Sequence, residues 1–325
     1  MKRKGIACLI SLVLTLCILF AGCQRAEKIS EQRDAYSLNG IEFDMLRLPA
    51  MQFPGGAMGI RLLTERRSEY IGVKKPFSLA ETNTSYRLWK DVYQWAIHHG
   101  YTFNREGLMG SQKDGDGMND LHPVTLVDWT SAVLWCNALT EYYNLTNNTS
   151  FRPVYEYKGA VVRSAASRAE ADAIVRDDNA DGFRLPMAME WELAARYTTK
   201  NKDGKYSEYP LFSGIYWIPF RVVSGDIEGT PGLLGAEHGR ILSIPVGETQ
   251  VNDLGFYGFA GPEGKLWQWC FDYLGETKID TYHIKRGGSR YPRCSPNYNW
   301  PKTKWSPTCT GYTQITFRFA RNSAE

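Results

Sequence analysis

The residues of this sequence with the clearest capacity for chemistry are four cysteines. A cysteine thiolate can bind a soft metal such as Cu(I) or act as a nucleophile, whereas the thiols of an exported protein can pair as disulfides. The sequence contains no CxxC, HExxH or His-rich cluster, so it does not predict a zinc site. Four cysteines allow three disulfide pairings, and spacing alone does not rank them. The four residues are Cys136, Cys270, Cys294 and Cys309.

A second candidate is a segment suited to binding, between Ser289 and Phe317. No acidic residue occurs from Thr281 to Ser323. Aliphatic side chains are almost absent between Ser289 and Phe317, so this segment cannot form part of the hydrophobic core. Tyr, Trp, Asn, Ser and Arg give binding loops large rigid contacts and adaptable hydrogen bonds. We predict that residues 290–312, the aromatic-basic segment, form an exposed binding surface; a solvated loop without a ligand is the alternative. The predicted ligand-binding residues are Arg290, Tyr291, Arg293, Asn297, Tyr298, Asn299, Trp300, Lys302, Lys304, Trp305, Ser306 and Tyr312.

The N-terminus has the organisation of a secretory signal peptide. Three basic residues at positions 2–4 precede an apolar run from Ile6 to Phe20, which ends in Ala21-Gly22-Cys23. The end of this run resembles a bacterial lipobox, in which the cysteine thiol is acylated with chains such as palmitate. A retained transmembrane helix is disfavoured because the run is shorter than the ~20 apolar residues that span a bilayer. The pattern therefore predicts a lipoprotein anchored through Cys23.

The rest of the chain predicts one folded domain without a strong overall charge. The formal net charge is +3, from 38 Lys and Arg residues against 35 Asp and Glu residues, so composition does not predict nucleic acid as a partner. Aromatic residues make up 13% of the sequence, which suits a domain that exposes aromatic side chains for contact. We predict a signal peptide at 1–22, a lipidated tether at 23–40 and a folded domain at 41–325, in the cell envelope, on the outer-membrane surface of a bacterium.

Apolar periodicity predicts three helices. In Thr84–His98 and Thr130–Tyr143, apolar residues recur three or four positions apart, and Asp128 or Thr130 can cap the second helix. A third, shorter helix is predicted over Met187–Tyr197. The remaining sequence is rich in Gly, Pro and aromatic residues, with short β-like runs. Together these features predict an α+β fold with few helices, short strands and much irregular chain.

Short motifs along the chain carry a family resemblance. They are Phe53–Gly59, Glu81-Thr82-Asn83, His122–Trp129, Trp135–Leu139, Gly182–Pro186, Glu190–Arg196, Asp253–Tyr257, Trp267–Cys270, Arg286–Ser289 and Phe317–Arg321. In this order they resemble the sulfatase-modifying-factor family, whose best-known member is the formylglycine-generating enzyme. The resemblance covers about residues 43–321 and implies the family's C-type-lectin fold. The layout is also similar to the variable proteins of diversity-generating retroelements, whose diversified residues lie in the last segment of the same fold.

Most of the motif residues have a structural explanation. Four tryptophans are predicted to be core or half-buried anchors whose N–H groups need acceptors: Trp129, Trp191, Trp267 and Trp269. Arg184 and Glu190 are predicted to be partners in a buried polar network that pins loops, not an acid–base pair. Gly287-Gly288 permits a close backbone approach. The motifs therefore identify a fold, and a fold alone does not give a function.

The resemblance also implies metal sites that this sequence alters. The family's oxidases hold Cu(I) with two closely spaced cysteines after Gly-Gly-Ser, whereas here Cys294 is displaced and the next cysteine is the distant Cys309. Family members often bind calcium through an Asn in a GNVWEW turn, where this chain has Lys265. Asp114–Asp120 and Asp177–Asp181 offer oxygen ligands but lack the closing Glu of an EF-hand. We predict acidic turns there, and no metal or other cofactor.

Three functions follow as hypotheses. The leading one is a non-catalytic surface protein that binds a protein or glycan ligand on another cell or matrix through the aromatic-basic segment. The second is a copper-dependent oxidase of peptide cysteine, with Cys294 and Cys309 as catalytic residues. The third is an envelope structural protein without a specific ligand. The cysteine spacing disfavours the oxidase.

Overall fold

The structure is a computed structural model that describes residues 32–54, 70–110, 119–200, 206–212, 246, 256, 266–274, 282–287, 293–296 and 315–323. Its helices are α1 (Tyr86–Ile97), α2 (Trp129–Asn147), α3 (Arg168–Asp172) and α4 (Ala188–Arg196). Its strands are β1 (Arg33–Leu38), β2 (Ile41–Leu48), β3 (Met51–Pro54), β4 (Tyr70–Val73), β5 (Phe77–Ala80), β6 (Leu108–Met109), β7 (Val124–Thr125), β8 (Tyr155–Tyr157), β9 (Ala160–Val161), β10 (Val175–Arg176), β11 (Phe183–Arg184), β12 (Tyr197–Lys200), β13 (Tyr206–Phe212), β14 (Trp267–Leu274), β15 (Tyr282–Gly287), β16 (Arg293–Pro296), β17 (Ile315–Thr316) and β18 (Ala320–Asn322). The predicted α+β class, with few helices and short strands, is confirmed.

The domain begins earlier than the sequence predicted, at the β1–β2 hairpin. Residues 33–38 were assigned to the tether, but they pair antiparallel with β2 over their whole length. The turn is Asn39-Gly40, with φ angles of 50° and 77°, and two residues of positive φ match the right-handed twist of the flanking strands. The predicted boundary at residue 40 is therefore wrong, because this turn chemistry makes a hairpin of the chain that precedes it.

The central sheet joins distant parts of the chain in the order β1-β2-β5-β18-β11. β18 lies between β5 and β11 and is antiparallel to both, with Ala320 opposite Leu79 on one side and Arg184 on the other. Arg321 extends from β18 and donates to the hydroxyl of Tyr36 at 2.8 Å. The C-terminal motif Phe317–Arg321 is therefore part of the middle of the fold.

The predicted helices are confirmed, with ends that differ by a few residues. Ser85 caps α1 by accepting a hydrogen bond from the Leu88 amide, and Asp128 caps α2 by accepting from the Ser131 amide at 2.6 Å. α2 extends to Asn147 because its left-handed C-cap, Asn148, comes later than the last predicted apolar residue. Among the described residues, no helix is long and apolar enough to cross a membrane.

The core is built around buried aromatic side chains. Trp89 of α1 stacks on Trp135 of α2 with ring centroids 5.8 Å apart, and both indole N–H groups donate to backbone carbonyls. Trp129 and Trp269 are also buried and donate to the carbonyls of Cys270 and Val127. The prediction of buried tryptophan anchors is confirmed for these and for Trp191; the side chain of Trp267 lies outside the described residues.

Candidate binding site

The aromatic-basic segment is attached to a four-stranded sheet with the order β16-β15-β14-β17. β16 pairs antiparallel with β15, and β17 pairs parallel with β14. The chain therefore leaves this sheet at one edge, after Pro296, and returns at the opposite edge, at Ile315. Neighbouring strands lie ~4.8 Å apart, so roughly 14 Å of sheet separates the two edges. The described strands thus give the points at which the chain leaves the sheet before residue 297 and re-enters it after residue 314.

Most of the predicted ligand-binding residues lie outside the described residues. Arg293 is described as the first residue of β16, where its backbone stands opposite Gly287, and Cys294 follows it opposite Arg286. The predicted gathering of aromatic side chains on one exposed face stays a prediction. The predicted residues outside the described ranges are Arg290, Tyr291, Asn297, Tyr298, Asn299, Trp300, Lys302, Lys304, Trp305, Ser306 and Tyr312, and Cys309 lies outside them too.

The chain that follows the segment is held firmly by the core. The Phe317 carbonyl accepts a hydrogen bond from the Thr84 amide at 2.9 Å. The Phe317 ring meets Trp89 and Trp135 edge-on, with centroid distances of 5.8 and 5.3 Å. Edge-to-face pairs of this kind add about 0.5–1.5 kcal/mol each beyond area burial. The return end of the segment is therefore anchored by residues that are not part of the segment.

A buried polar network next to Phe317 joins three elements. Arg318 is fully buried, and its Nε donates to Gln268 Oε1 at 2.7 Å. The same oxygen accepts from Trp191 Nε1 of α4 at 2.9 Å, while Arg318 also donates to the Ala80 carbonyl and to Asn83 Oδ1. Sequence reasoning did not single out Gln268, although this residue stands where the family's GNVWEW motif has Glu. The replacement of the motif's Glu by Gln268 is the sequence feature that could have indicated a network built on a neutral amide.

The predicted network of Arg184 and Glu190 is confirmed as a structural one. Both residues are buried, and the guanidinium binds the carboxylate through two hydrogen bonds of 2.7 Å. Glu190 Oε2 also accepts from the Met187 amide at 2.7 Å, so it caps the start of α4. Arg184 Nε donates to Asn322 Oδ1 of β18 at 2.9 Å. The pair therefore ties β11, α4 and β18 together, and both charged groups are committed to these bonds.

Asp272 of β14 also faces the start of α4. Its Oδ2 accepts a hydrogen bond from the Ala188 amide. Burial raises the pKa of this carboxyl from 3.8 to about 6, against the opposing effect of the Ala188 N–H group. The negative charge of Glu190 raises the pKa further. The charge of Asp272 therefore changes near neutral pH.

The two fully described thiols do not fit a copper site. Cys136 of α2 and Cys270 of β14 are fully buried, and they lie in separate clusters of the core. Burial raises the pKa of the Cys136 thiol well above its ordinary value, which disfavours the thiolate that a soft metal needs. The placement of the two thiols in separate clusters excludes a disulfide between Cys136 and Cys270.

The acidic turn at Asp177–Asp181 is occupied by its own neighbours. Asp178 Oδ1 accepts from Arg176 Nε at 2.6 Å, and Asp181 Oδ1 accepts from the Arg152 amide at 2.8 Å. These contacts leave no set of converging free oxygens, so the turn does not fit calcium. Within the described ranges, no group of three or more His, Cys, Asp or Glu side chains is placed to hold a metal ion.

The other two calcium candidates are described only in part. Asp120, the last residue of Asp114–Asp120, forms two hydrogen bonds of 2.8 and 2.9 Å with Arg87. The Arg87 guanidinium lowers the pKa of the Asp120 carboxyl, so this carboxylate has a partner other than a cation. Residues 114–118 and Lys265 lie outside the described residues.

The structure is similar in fold to two solved proteins. One is the crystal structure of CarF, with a TM-score of 0.56 and 21% sequence identity, where the match covers 87% of this chain and 99% of that one. The other is Treponema denticola variable protein 1, with a TM-score of 0.56 and 19% identity, covering 90% of this chain and 99% of that one. At these identities the similarity establishes the fold.

The sequence is similar to a named relative and to a family. Chaperone protein LppX of Paenibacillus barcinonensis is 27% identical over 187 residues, which are 56% of this chain, and the match spans 63% of the length of that relative. The family of the sulfatase-modifying factor enzyme 1-like domain matches residues 44–323. This range contains every described helix and every described strand except β1 and the first three residues of β2. The chain belongs to the sulfatase-modifying factor enzyme 1-like family.

Proposed function

We propose that this chain is a non-catalytic, lipid-anchored surface protein that binds a partner protein or glycan through the aromatic-basic segment. The observation that carries the proposal is the contrast between the segment and its supports. The segment combines aromatic and basic residues without an acidic residue, while the strand before it and the core after it hold its two ends. A rigid frame around a contact-rich segment lowers the entropy lost on binding.

The relatives are compatible with binding rather than catalysis. One structural neighbour is called a variable protein, and the sequence relative is called a chaperone protein. Neither name is that of an oxidase. The family includes oxidases, but the two cysteines that follow Gly-Gly-Ser in this chain, Cys294 and Cys309, are not closely spaced. These findings support a domain that uses the family fold as a frame for binding.

The charge of the segment favours an acidic partner. Arg290, Arg293, Lys302 and Lys304 are its basic residues, and no acidic residue offsets them within it. Complementary charge speeds association and makes it sensitive to salt, and screening extends over ~8 Å at physiological ionic strength. We therefore propose an acidic protein surface or an acidic glycan as the ligand chemistry.

The first test of the binding proposal changes three aromatic residues of the segment. Trp300, Trp305 and Tyr298 are replaced with Ala, and binding to an immobilised sulfated glycan and to an immobilised acidic protein is measured. Loss of one aromatic anchor can weaken binding by ≥ ~2 kcal/mol, roughly 30-fold. The control is Tyr157→Ala on the β8–β9 hairpin, and melting temperatures verify the fold. Binding by the parent chain that survives the triple change contradicts the proposal.

The anchor is tested separately. Cys23→Ser removes the thiol that is acylated, so the mature chain should leave the detergent phase in Triton X-114 partitioning; unchanged partitioning contradicts the anchor.

The oxidase alternative predicts one bound copper per chain and oxygen uptake with a cysteine peptide. Either observation overturns the ranking of binding above catalysis.

A further inference from the structure

The end of the central sheet at which the chain enters the fold carries a basic pair. Gln32 precedes β1, and its carbonyl accepts from the Arg47 amide at 2.8 Å. Lys74 and Lys75 stand just before β5, which is separated from β1 by β2 alone. Two strand spacings are ~10 Å. We call this group, Gln32 with Lys74 and Lys75, the basic end of the sheet.

Among the described residues of this end, Lys74 and Lys75 are the cations without an ion-pair partner. Both are exposed, and neither makes an ion pair with any residue that the structure describes. The neighbouring arginines differ, because Arg33 is paired with Asp44 and Glu81, and Arg47 is paired with Asp34. Those ion pairs cancel most of the field of the arginines. Within the part of this end that the structure describes, the unpaired positive charge is therefore that of the two lysines.

The opposite end of the same hairpin is acidic. The Asn39-Gly40 turn lies there, beside exposed Glu42 and beside Asp91, whose Oδ1 accepts from Asn39 Nδ2 at 3.2 Å. Strand β1 is six residues long, so the two ends lie roughly 20 Å apart. This separation exceeds the ~8 Å screening length at physiological salt. A negatively charged surface therefore attracts one end of the hairpin and repels the other.

The tether brings the basic end close to the membrane. Only nine residues, Gln24 to Gln32, separate the acylated cysteine of the proposed anchor from β1. A flexible chain of that length has a root-mean-square span of ~17 Å, and full extension reaches ~30 Å. Gln32 cannot move further than that from the lipid headgroups, so the part of the domain next to it stays close to the bilayer.

We propose that the basic end of the sheet docks on the anionic headgroups of the membrane that holds Cys23, through Lys74 and Lys75. The inference rests on the proposed lipid anchor, and it adds an orientation to that anchor. Each lysine close to an anionic bilayer contributes about a five-fold bias. Two lysines at one end, with Glu42 and Asp91 repelled at the other, give the domain a preferred orientation.

The test measures how fast individual lysines are acetylated on vesicles. The acylated full-length mature chain is reconstituted into phosphatidylcholine vesicles and into vesicles that also contain phosphatidylglycerol, and lysine labelling by a membrane-impermeant ester is followed by mass spectrometry. Lys74 and Lys75 should be labelled between about 5- and 25-fold more slowly on the anionic vesicles, and 0.5 M NaCl should restore the rate. Lys158, exposed at the tip of the β8–β9 hairpin, is the internal control and should not change.

The outcomes separate this inference from the anchor itself. If the N-terminal peptide carries no lipid mass, the anchor is wrong and the docked face fails with it. If the peptide is acylated but Lys74 and Lys75 react equally on both kinds of vesicle, the anchor stands and the docked face is overturned. The docking is also overturned if Lys74 and Lys75 are protected from labelling as strongly on neutral as on anionic vesicles. Protection of Lys158 in place of these two lysines has the same meaning.

Discussion

The Arg184–Glu190 pair offers a direct test of how the fold is held together. Glu190→Ala removes two charge-assisted hydrogen bonds of 2.7 Å and leaves the Arg184 guanidinium buried without its carboxylate. Breaking a buried pair from one side costs about 3–5 kcal/mol. The change also removes the acceptor of the Met187 amide, and loss of a cap costs about 0.5–2 kcal/mol. We expect a total destabilisation of about 3.5–7 kcal/mol.

The assay is urea unfolding followed by tryptophan fluorescence and circular dichroism. Glu42→Ala, on an exposed position of β2, is the matched control and should change stability by less than ~0.5 kcal/mol. Glu190→Gln keeps an oxygen acceptor, so its effect should lie between those of the control and of Glu190→Ala. In Arg184→Met with Glu190→Met no charge remains buried, and replacing both partners of such a pair is often close to neutral.

Additive effects of the Arg184 and Glu190 changes on the free energy of unfolding would refute a coupled pair. If the double change destabilises by the sum of the two single changes, Arg184 and Glu190 do not act as a unit. An effect of Glu190→Ala no larger than that of the Glu42 control would place the carboxylate in solvent. Both outcomes would remove the basis for a buried network in the Gly182–Arg196 region.

Two further predictions concern α4 and its neighbours. Trp191→Ala should lower the free energy of unfolding by about 3–5 kcal/mol, because the side chain is buried and donates to Gln268; an unchanged melting temperature would mean that Trp191 is not a core anchor. For Asp272 the folded pKa of about 6 lies above the ordinary 3.8, so its contribution is fully present below pH ~3.8 and is lost as the pH rises through ~6, by up to about 3 kcal/mol. Asp272→Asn should flatten this part of the stability profile in urea titrations from pH 4 to 8, and an identical slope in both proteins would rule out Asp272 as its source.

Local signals in the sequence predicted the parts of the fold that depend on local periodicity. Apolar spacing found the helices, and the Arg-Leu-Pro and Glu-Trp-Glu motifs marked Arg184 and Glu190 as a buried pair. Sequence patterning does not predict the β1 strand, because its alternating charged residues also fit a solvated tether. In the structure Arg33 and Asp34 instead pair across strands with Asp44 and Arg47.

Other features depend on contacts that no local pattern shows. Gln268 and Arg318 are fifty positions apart in the sequence, and only the fold brings the amide to the guanidinium. The separation of Cys136 from Cys270 likewise depends on the fold, which buries them in different clusters of the core. Composition predicted the aromatic-basic segment as a binding surface, and the sheet adds where that segment begins and ends.

The position of β18 has a consequence for the order of synthesis and folding. The central sheet needs Ala320–Asn322 between β5 and β11, and Ala320 pairs with Leu79 from the opposite end of the chain. A growing polypeptide that has not reached these residues also lacks Phe317 and Arg318, so its sheet stays split and its core incomplete. Native pairing of such distant segments is slow, because the chain loses the entropy of closing a long loop before the contacts between the segments stabilise it. A chain built in this way therefore completes its central sheet only when its translation is nearly complete.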